Sequence, residues 1–286
     1  MNGFIVINKE TGYTSRDVVN IACKALKTKK IGHTGTLDPM ATGVLVLAVG
    51  KATKLVDYIT NKEKEYIAEI ELGTLTDTLD ITGKILASET VRKSETEIDH
   101  ALAQMIGTYL QEVPIYSAVK VRGKKLYEYA RHHEAVTLPK KEVTIASLKR
   151  ISPLTVSDGK IRFTIRTTVS KGTYIRSLIR DLAAQLGTIG TMLRLERTRQ
   201  GNYTLASAIR LTALENGNYR CISIPEALVD VKQMVVGDEN ATRIRNGNKI
   251  EAYYDVDKIL FINPDGSPIG IYEQYEPGHF KPRIMF

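Results

Sequence analysis

Twelve consecutive residues, Gly32-His33-Thr34-Gly35-Thr36-Leu37-Asp38-Pro39-Met40-Ala41-Thr42-Gly43, combine three glycines, three threonines, a histidine and an aspartate. An ionised aspartate presented by such a loop is suited to general-base or nucleophilic chemistry. An isolated Asp-Pro pair is ordinarily just a turn, its carboxylate bonding a nearby backbone N–H, and a lone histidine is ordinarily a satisfied polar residue. The density of this loop resists that account, because it runs straight into the apolar stretch Val44–Val49, a plausible buried strand. A loop anchored to a rigid strand can present a single carboxylate. A second chemically suggestive segment holds Lys120, Arg122, Lys124, Lys125, Arg131, His132 and His133, interleaved with Tyr127 and Tyr129. A charge run is usually a solvated face, but cations among aromatic rings also suit a nucleic-acid backbone and its bases.

The elements that must hold these residues follow from periodicity. Phe4–Asn8 reads as a short strand, and Thr14 or Ser15 can cap a helix carrying Val18, Ile21, Ala22, Ala25 and Leu26. Tyr66, Ala68, Ile70 and Leu72 alternate with Ile67, Glu69 and Glu71, as in a half-buried strand. Gly73–Gly83 is polar and turn-rich, and Ser94–Ile106 is helical with Ile98, Leu102, Met105 and Ile106 on one face. Ile161, Phe163 and Ile165 alternate with polar residues. The turn Lys171-Gly172-Thr173 then leads into a helix carrying Ile175, Leu178, Ile179, Leu182 and Leu186. Interleaved strands and helices of mixed spacing predict an α+β domain rather than regular βαβ repeats. Beyond about residue 228 the pattern changes. Asp238–Asn246 suits a short helix, and Ile259–Ile262 and Ile269–Tyr272 flank the turn Asn263-Pro264-Asp265-Gly266. We therefore expect two units, residues 1–228 and a small β-rich unit of residues 229–286.

Composition narrows the class. The formal charge of +8 and pI near 9.3 favour a polyanionic partner. Residues 1–228 hold 33 Lys and Arg against 23 Asp and Glu, whereas residues 229–286 hold 7 against 9, so the excess belongs to the larger unit. Val44–Val49 is far too short to span a bilayer, and Phe4–Ile7 followed by Lys9 and Glu10 lacks the form of a secretory signal, so a cytoplasmic protein without membrane association is expected. Cys23 and Cys221 lie far apart without cysteine or histidine at ligand spacing, which argues against zinc and a disulfide framework. Packing is the expected role of both thiols.

The loop Gly32–Gly43, continued by Val44-Leu45-Val46-Leu47 and Gly50-Lys51-Ala52-Thr53-Lys54, resembles the signature of the TruB family of stand-alone bacterial tRNA pseudouridine synthases. Further motifs agree in order: Lys9 with Gly12-Tyr13-Thr14-Ser15; Lys64-Glu65-Tyr66; Gly73-Thr74, Thr76-Asp77-Thr78 and Asp80; Tyr116-Ser117-Ala118-Val119-Lys120, Gly123-Lys124 and Tyr129-Ala130-Arg131; Lys171–Leu178; and Leu195-Glu196-Arg197-Thr198. The likeness is strong over roughly residues 3–201. Glu10 and Val113 stand where the family usually has proline, a departure that bears on local loop shape.

The resemblance implies an α+β, mixed-sheet pseudouridine synthase catalytic domain followed by a small β-rich PUA-like domain. The implied reaction isomerises uridine to pseudouridine at position 55 in the T-loop of tRNA. Because reactant and product are isomers, no cofactor is expected, and the sequence offers no metal or nucleotide motif. The resemblance assigns catalysis to Asp38, with Arg176 keeping it charged and aimed. It implies that Tyr66 stacks on the base and assists proton removal, that Leu195 packs against the base, and that Tyr174 is a further substrate contact. His33 would fill the space vacated by a flipped base. Lys9, Lys120, Lys124, Lys125 and Arg131 are expected on the RNA track. The expected partner is the T-stem-loop of tRNA, bound by a monomer without guide RNA, since the chain lacks the lysine-rich extension expected of guide-dependent relatives. A non-catalytic tRNA-binding or tRNA-folding protein on the same scaffold is the alternative.

Overall fold

The computed structural model describes residues 1–251 and 255–286. Its main sheet runs in the order β1 (Gly3–Lys9), β2 (Thr42–Val49), β7 (Gly190–Gln200), β3 (Lys64–Leu72), β6 (Lys160–Val169), β5 (Lys140–Arg150) and β4 (Gly107–Glu112), with Ile222–Ser223 beyond β1. These neighbours are antiparallel except for the join between β2 and β7, which is parallel and touches only at Thr42–Glu196 and Gly43–Arg197. The sheet is therefore mixed, as the family resemblance implies. Gly43 sits at that join with φ +102°, where an added Cβ would meet the Arg197 carbonyl oxygen at 2.3 Å. A side chain there would force apart the strands that flank the histidine- and aspartate-bearing loop.

Helix α1 (Ser15–Ala25) begins at Thr14, whose hydroxyl accepts from Asp17 N at 3.1 Å while Asp17 Oδ2 accepts from Thr14 N at 2.8 Å. Two orphan N–H groups are thus satisfied reciprocally. Its Val18, Val19 and Ala22 are buried in the main core. Helix α2 (Glu95–Gln104) uses Ser94 and Glu97 in the same way and buries Ile98, Ala101 and Leu102. Gly73–Gly83, read as polar and turn-rich, also includes a short strand, Thr74–Thr76, paired with the exposed Ile85–Ser88. Helix α4 (Ile175–Gln185) buries Ile175, Leu178, Ile179 and Leu182 against the sheet. Both cysteines are partly exposed. No helix among the described residues is long and apolar enough to cross a membrane.

The C-terminal sheet runs β8 (Lys232–Val235), β9 (Lys258–Ile262), β10 (Pro268–Glu276) and β11 (His279–Met285), with Ile250–Glu251 at the far edge. Helix α5 (Asp238–Arg245) accompanies it, and Ile244, Ile259, Phe261, Tyr272 and Phe280 form its own core. Leu260 and Ile271, by contrast, are buried in a cluster with Phe4, Val6, Val44 and Val46 from β1 and β2. The C-terminal sheet thus covers the reverse face of the strand that follows the Asp38 loop.

Candidate active site

The loop is shaped by buried polar groups that reach its backbone from four directions. Ser15 Oγ accepts from Leu37 N at 2.8 Å and donates to Leu37 O at 3.2 Å. Lys9 Nζ donates to the carbonyls of Glu10, Tyr13 and Pro39 at 3.0, 2.7 and 3.2 Å. Arg197 Nε donates to Val44 O at 2.7 Å and its NH2 to Gly35 O at 3.1 Å. Gln200 Nε2 donates to Thr34 O at 2.9 Å. Asp38 lies between the clamps on Leu37 and Pro39, so its backbone is fixed on both sides.

Arg176, in the first turn of α4, is the hub of the site. Its NH2 lies 3.2 and 3.0 Å from the two carboxylate oxygens of Asp38 and also donates to Tyr116 O at 3.1 Å. Its NH1 donates to Thr78 O at 3.1 Å and lies 3.7 Å from Asp80 Oδ2. One nitrogen therefore spans both Asp38 oxygens, leaving the other to anchor the guanidinium. Asp80 is itself fixed, Oδ1 accepting from Thr78 Oγ1 at 2.8 Å and from Thr82 N at 3.0 Å. Leu79, between Thr78 and Asp80, adopts φ +63°, a left-handed backbone that turns both groups toward Arg176. Gln111 on β4 brackets Tyr174, accepting from its N at 2.8 Å and donating to its O at 3.2 Å, which fixes the start of α4.

Burial pushes the Asp38 carboxyl above its ordinary value, Arg176 opposes that rise, and Asp80 reinforces it. Asp38 keeps 34% of its side-chain surface open to a cavity of about 440 Å³. Tyr66, Leu195, Tyr174, Ser117, Tyr127 and Lys64 also line it. Tyr66 and Leu195 project from the same face of adjacent strands, Leu195 lying opposite Ala68. The result is a slot with one aromatic and one aliphatic wall and a carboxylate beside it. Such a slot suits a planar base attached to a sugar.

Five of the expected site residues, Asp38, Arg176, Tyr66, Tyr174 and Leu195, therefore meet in one cavity. His33 does not line it. It lies on the short strand Ile31–His33, with a buried Nδ1 that has no hydrogen-bond partner, and burial lowers its pKa. Lys120 is exposed on a hairpin with Lys124 and Lys125, next to the short helix α3 (Leu126–Arg131). Lys124 lies 4.8 Å from the Tyr129 ring, and Lys125 and Arg131 both lie 5.3 Å from the Tyr127 ring. Tyr127 also lines the cavity, so this basic surface adjoins the slot.

Lys9 departs from expectation. It is 0% exposed and its ammonium is spent on backbone carbonyls, so it supports the loop from inside and offers no charge to RNA. Burial lowers its pKa to about 8, against the pull of Asp38. Lys64 is also buried, donating to Thr60 O and Lys62 O at 2.8 and 2.9 Å, and burial takes it to about 8 as well. Asp80, Ser15 and Arg197 belong to the motifs quoted above, but the motifs alone give them no task. Gln111 leaves no motif at all.

A family model described as TruB family pseudouridylate synthase (N terminal domain) matches residues 23–175. The chain is 39% identical over 289 residues to tRNA pseudouridine synthase B of Bacillus pumilus, covering 96% of this chain and 94% of that one. It is 41% identical over 293 residues to tRNA pseudouridine synthase B of Streptococcus sanguinis, covering all of both chains. Among solved structures, a Cbf5-Nop10-Gar1 complex matches with TM-score 0.69 at 22% identity, over 96% of this chain and 79% of that chain. An H/ACA RNP bound to a substrate RNA containing 2'-deoxyuridine matches with TM-score 0.70 at 20% identity, over 99% of this chain and 84% of that chain. At these identities the structural likeness speaks for the fold.

Proposed function

This chain belongs to the TruB family of pseudouridylate synthases, and we propose on that footing that it isomerises the uridine at position 55 in the T-loop of tRNA. The observation that carries this reading is the pairing of Asp38 with Arg176 beside the Tyr66–Leu195 slot. The N1–C1′ bond breaks, the uracil turns, a C5–C1′ bond forms, and the proton leaving C5 is balanced by one gained at N1. Asp38 serves either as nucleophile at C1′ or as base at C2′; both roles need it ionised. Arg176 supplies that condition by opposing the effect of burial. Tyr66 and Leu195 hold the base by its faces, which leaves it free to turn. Tyr66 assists removal of the C5 proton, and Tyr174 provides a further contact.

A uridine stacked within the T-loop must be extruded to reach Asp38, and His33 occupies the space it leaves. Lys120, Lys124, Lys125 and Arg131 carry the RNA backbone toward the slot. The enzyme acts in the cytoplasm as a monomer without guide RNA, residues 1–228 forming the catalytic unit and residues 229–286 a PUA-like unit that contacts the acceptor side of tRNA. Incubation with an unmodified T-stem-loop, followed by mapping of pseudouridine, is expected to show one modified position. Tight binding without isomerisation would instead support a non-catalytic tRNA-folding protein.

A further inference from the structure

Gln111 is buried, and its amide hydrogens and oxygen all have partners. Beyond the two bonds that bracket Tyr174, its Nε2 donates to Tyr109 OH at 2.7 Å. Gln111 and Tyr109 stand two positions apart, on one face of the edge strand β4, and that face packs on α4.

The phenol decides how the amide lies. Tyr109 OH donates to Asp181 Oδ2 on α4 at 3.2 Å, and an ionised carboxylate only accepts. Burial and the Asp181 charge hold the phenol well above its ordinary pKa, so it keeps that proton. Its lone pairs are left for the Gln111 NH2, which turns the amide oxygen toward Tyr174 N. A flipped amide would set NH2 against that N–H and oxygen against the Tyr174 carbonyl.

The grip falls where α4 has least support of its own. Tyr174 is the N-cap residue, and its side chain makes no capping bond. Its carbonyl accepts the first helical bond, from Leu178 N at 2.9 Å, and Gln111 adds a second. Ser177 Oγ and Arg180 NH1 fasten the following turns to Glu112 at 2.8 and 3.0 Å, so the body of the helix is held apart from Gln111. Arg176 stands two residues after Tyr174, and its guanidinium must meet Asp38, Thr78 O and Tyr116 O at once. A tilt at the N-cap passes directly to those contacts.

We propose that Gln111, its amide oriented by Tyr109, is a positioning residue for the isomerisation, holding the start of α4 so that Arg176 meets Asp38. This rests on the uridine-isomerising reading above. Asp38 is faced by Arg176 and Tyr174 from α4 and its cap, by Asp80 from the turn after Thr78, and by Lys9 from β1. Of these groups, the two that move with the start of α4 are Arg176 and Tyr174, and Arg176 is the one that opposes protonation of Asp38.

The test measures single-turnover rates on an unmodified T-stem-loop at saturating enzyme, across pH. Gln111→Met keeps the length of the side chain and removes its three bonds. Its saturated rate should fall about ten- to hundredfold, the cost of misplacing a reacting group by roughly 1 Å. Its acid limb should move to higher pH while RNA affinity holds. Tyr109→Phe, which frees the amide to flip, should shift rate and limb in the same directions by less. It also carries the test if the methionine variant does not fold. A rate and acid limb equal to wild type in the folded variants, with a lower melting temperature alone, would make Gln111 a packing residue and overturn the proposal. A slower rate with an unmoved acid limb would sever Gln111 from Arg176 and overturn it equally. Failure of wild type to convert uridine would instead overturn the function itself, so the failures are distinct.

Discussion

Asp38 sits in a place that favours its protonation, and the Arg176 guanidinium opposes that pull. Asp38→Asn should lower turnover by about 10²–10⁴-fold or more, the range for a positioned acid–base group, with RNA affinity little changed. Near-normal turnover of the purified variant would sink the mechanism. The raised pKa also has a sign for stability. The folded state holds this proton more tightly than the unfolded chain, so Asp38 favours folding below the ordinary carboxylate value and opposes it once ionised. Asp38→Asn is accordingly expected to melt at the same or a higher temperature than wild type at neutral pH, and a clear fall would contradict the burial argument. Activity should fade as acid protonates Asp38, at a pH above the ordinary aspartate range. Arg176→Lys, which cannot span both oxygens while bonding two carbonyls, should shift that acid limb to higher pH and cut the rate severely. A superimposable pH profile would reduce Arg176 to a bystander. Asp38 drew attention through the density of its loop, whereas Arg176 came only from the family motif, since by itself it reads as an exposed helix arginine. The task of Asp80 was not legible, since it is to face an arginine 96 positions away and nothing periodic marks such a contact.

At the scale of elements, the loop is a product of its clamps. Lys9→Met would strand three carbonyls, those of Glu10, Tyr13 and Pro39, and should destabilise the fold by about 1–3 kcal/mol, the cost of an unsatisfied buried polar group. The salt dependence of RNA binding should not move, because a buried ammonium releases no counterions from phosphate. A reduced slope would return Lys9 to the RNA surface. The opposite behaviour is expected of the hairpin and α3. Neutralising Lys124, Lys125 and Arg131 together should weaken tRNA binding and lower the log–log salt slope by about 0.7–0.9 for each phosphate that is no longer neutralised, with little effect on the saturated rate. An unchanged slope in salt titrations would place the track elsewhere. The strands and helices themselves were legible from alternation and periodicity, with Thr14 or Ser15 as the cap of the first helix, while the capping boxes of Thr14 with Asp17 and Ser94 with Glu97 emerged only in the fold. Lys9 misled because charge is visible in a sequence, whereas the carbonyls that enclose it, above all that of Pro39 thirty positions away, are not.

For the whole molecule, the proposed division at residue 228 follows the shift in pattern and charge, but the packing crosses it. Leu260 and Ile271 read as ordinary alternating strand residues; only the assembled fold shows that their face meets Phe4, Val44 and Val46. Asp230 likewise accepts from Tyr58 OH at 2.9 Å and pairs with Lys62, tying the start of the tail to the wall that carries Lys64. Removal of residues 229–286 should therefore weaken binding of full-length tRNA and also lower the melting temperature. Each large apolar side chain so exposed forfeits about 1.5–3 kcal/mol of burial. Activity on an isolated T-stem-loop should persist at temperatures where the truncated chain is folded, and its loss there would mean that the tail takes part in chemistry. The Arg197 clamp has a further consequence, in the order of synthesis. Arg197 emerges from the ribosome 153 residues after Val44, whose carbonyl it holds, and the loop bearing Asp38 precedes both. At roughly 5–20 residues per second the loop waits about eight to thirty seconds for its final clamp. A nascent chain therefore carries its aspartate long before it carries a shaped site, and passes most of its synthesis among cellular RNAs without the means to modify them.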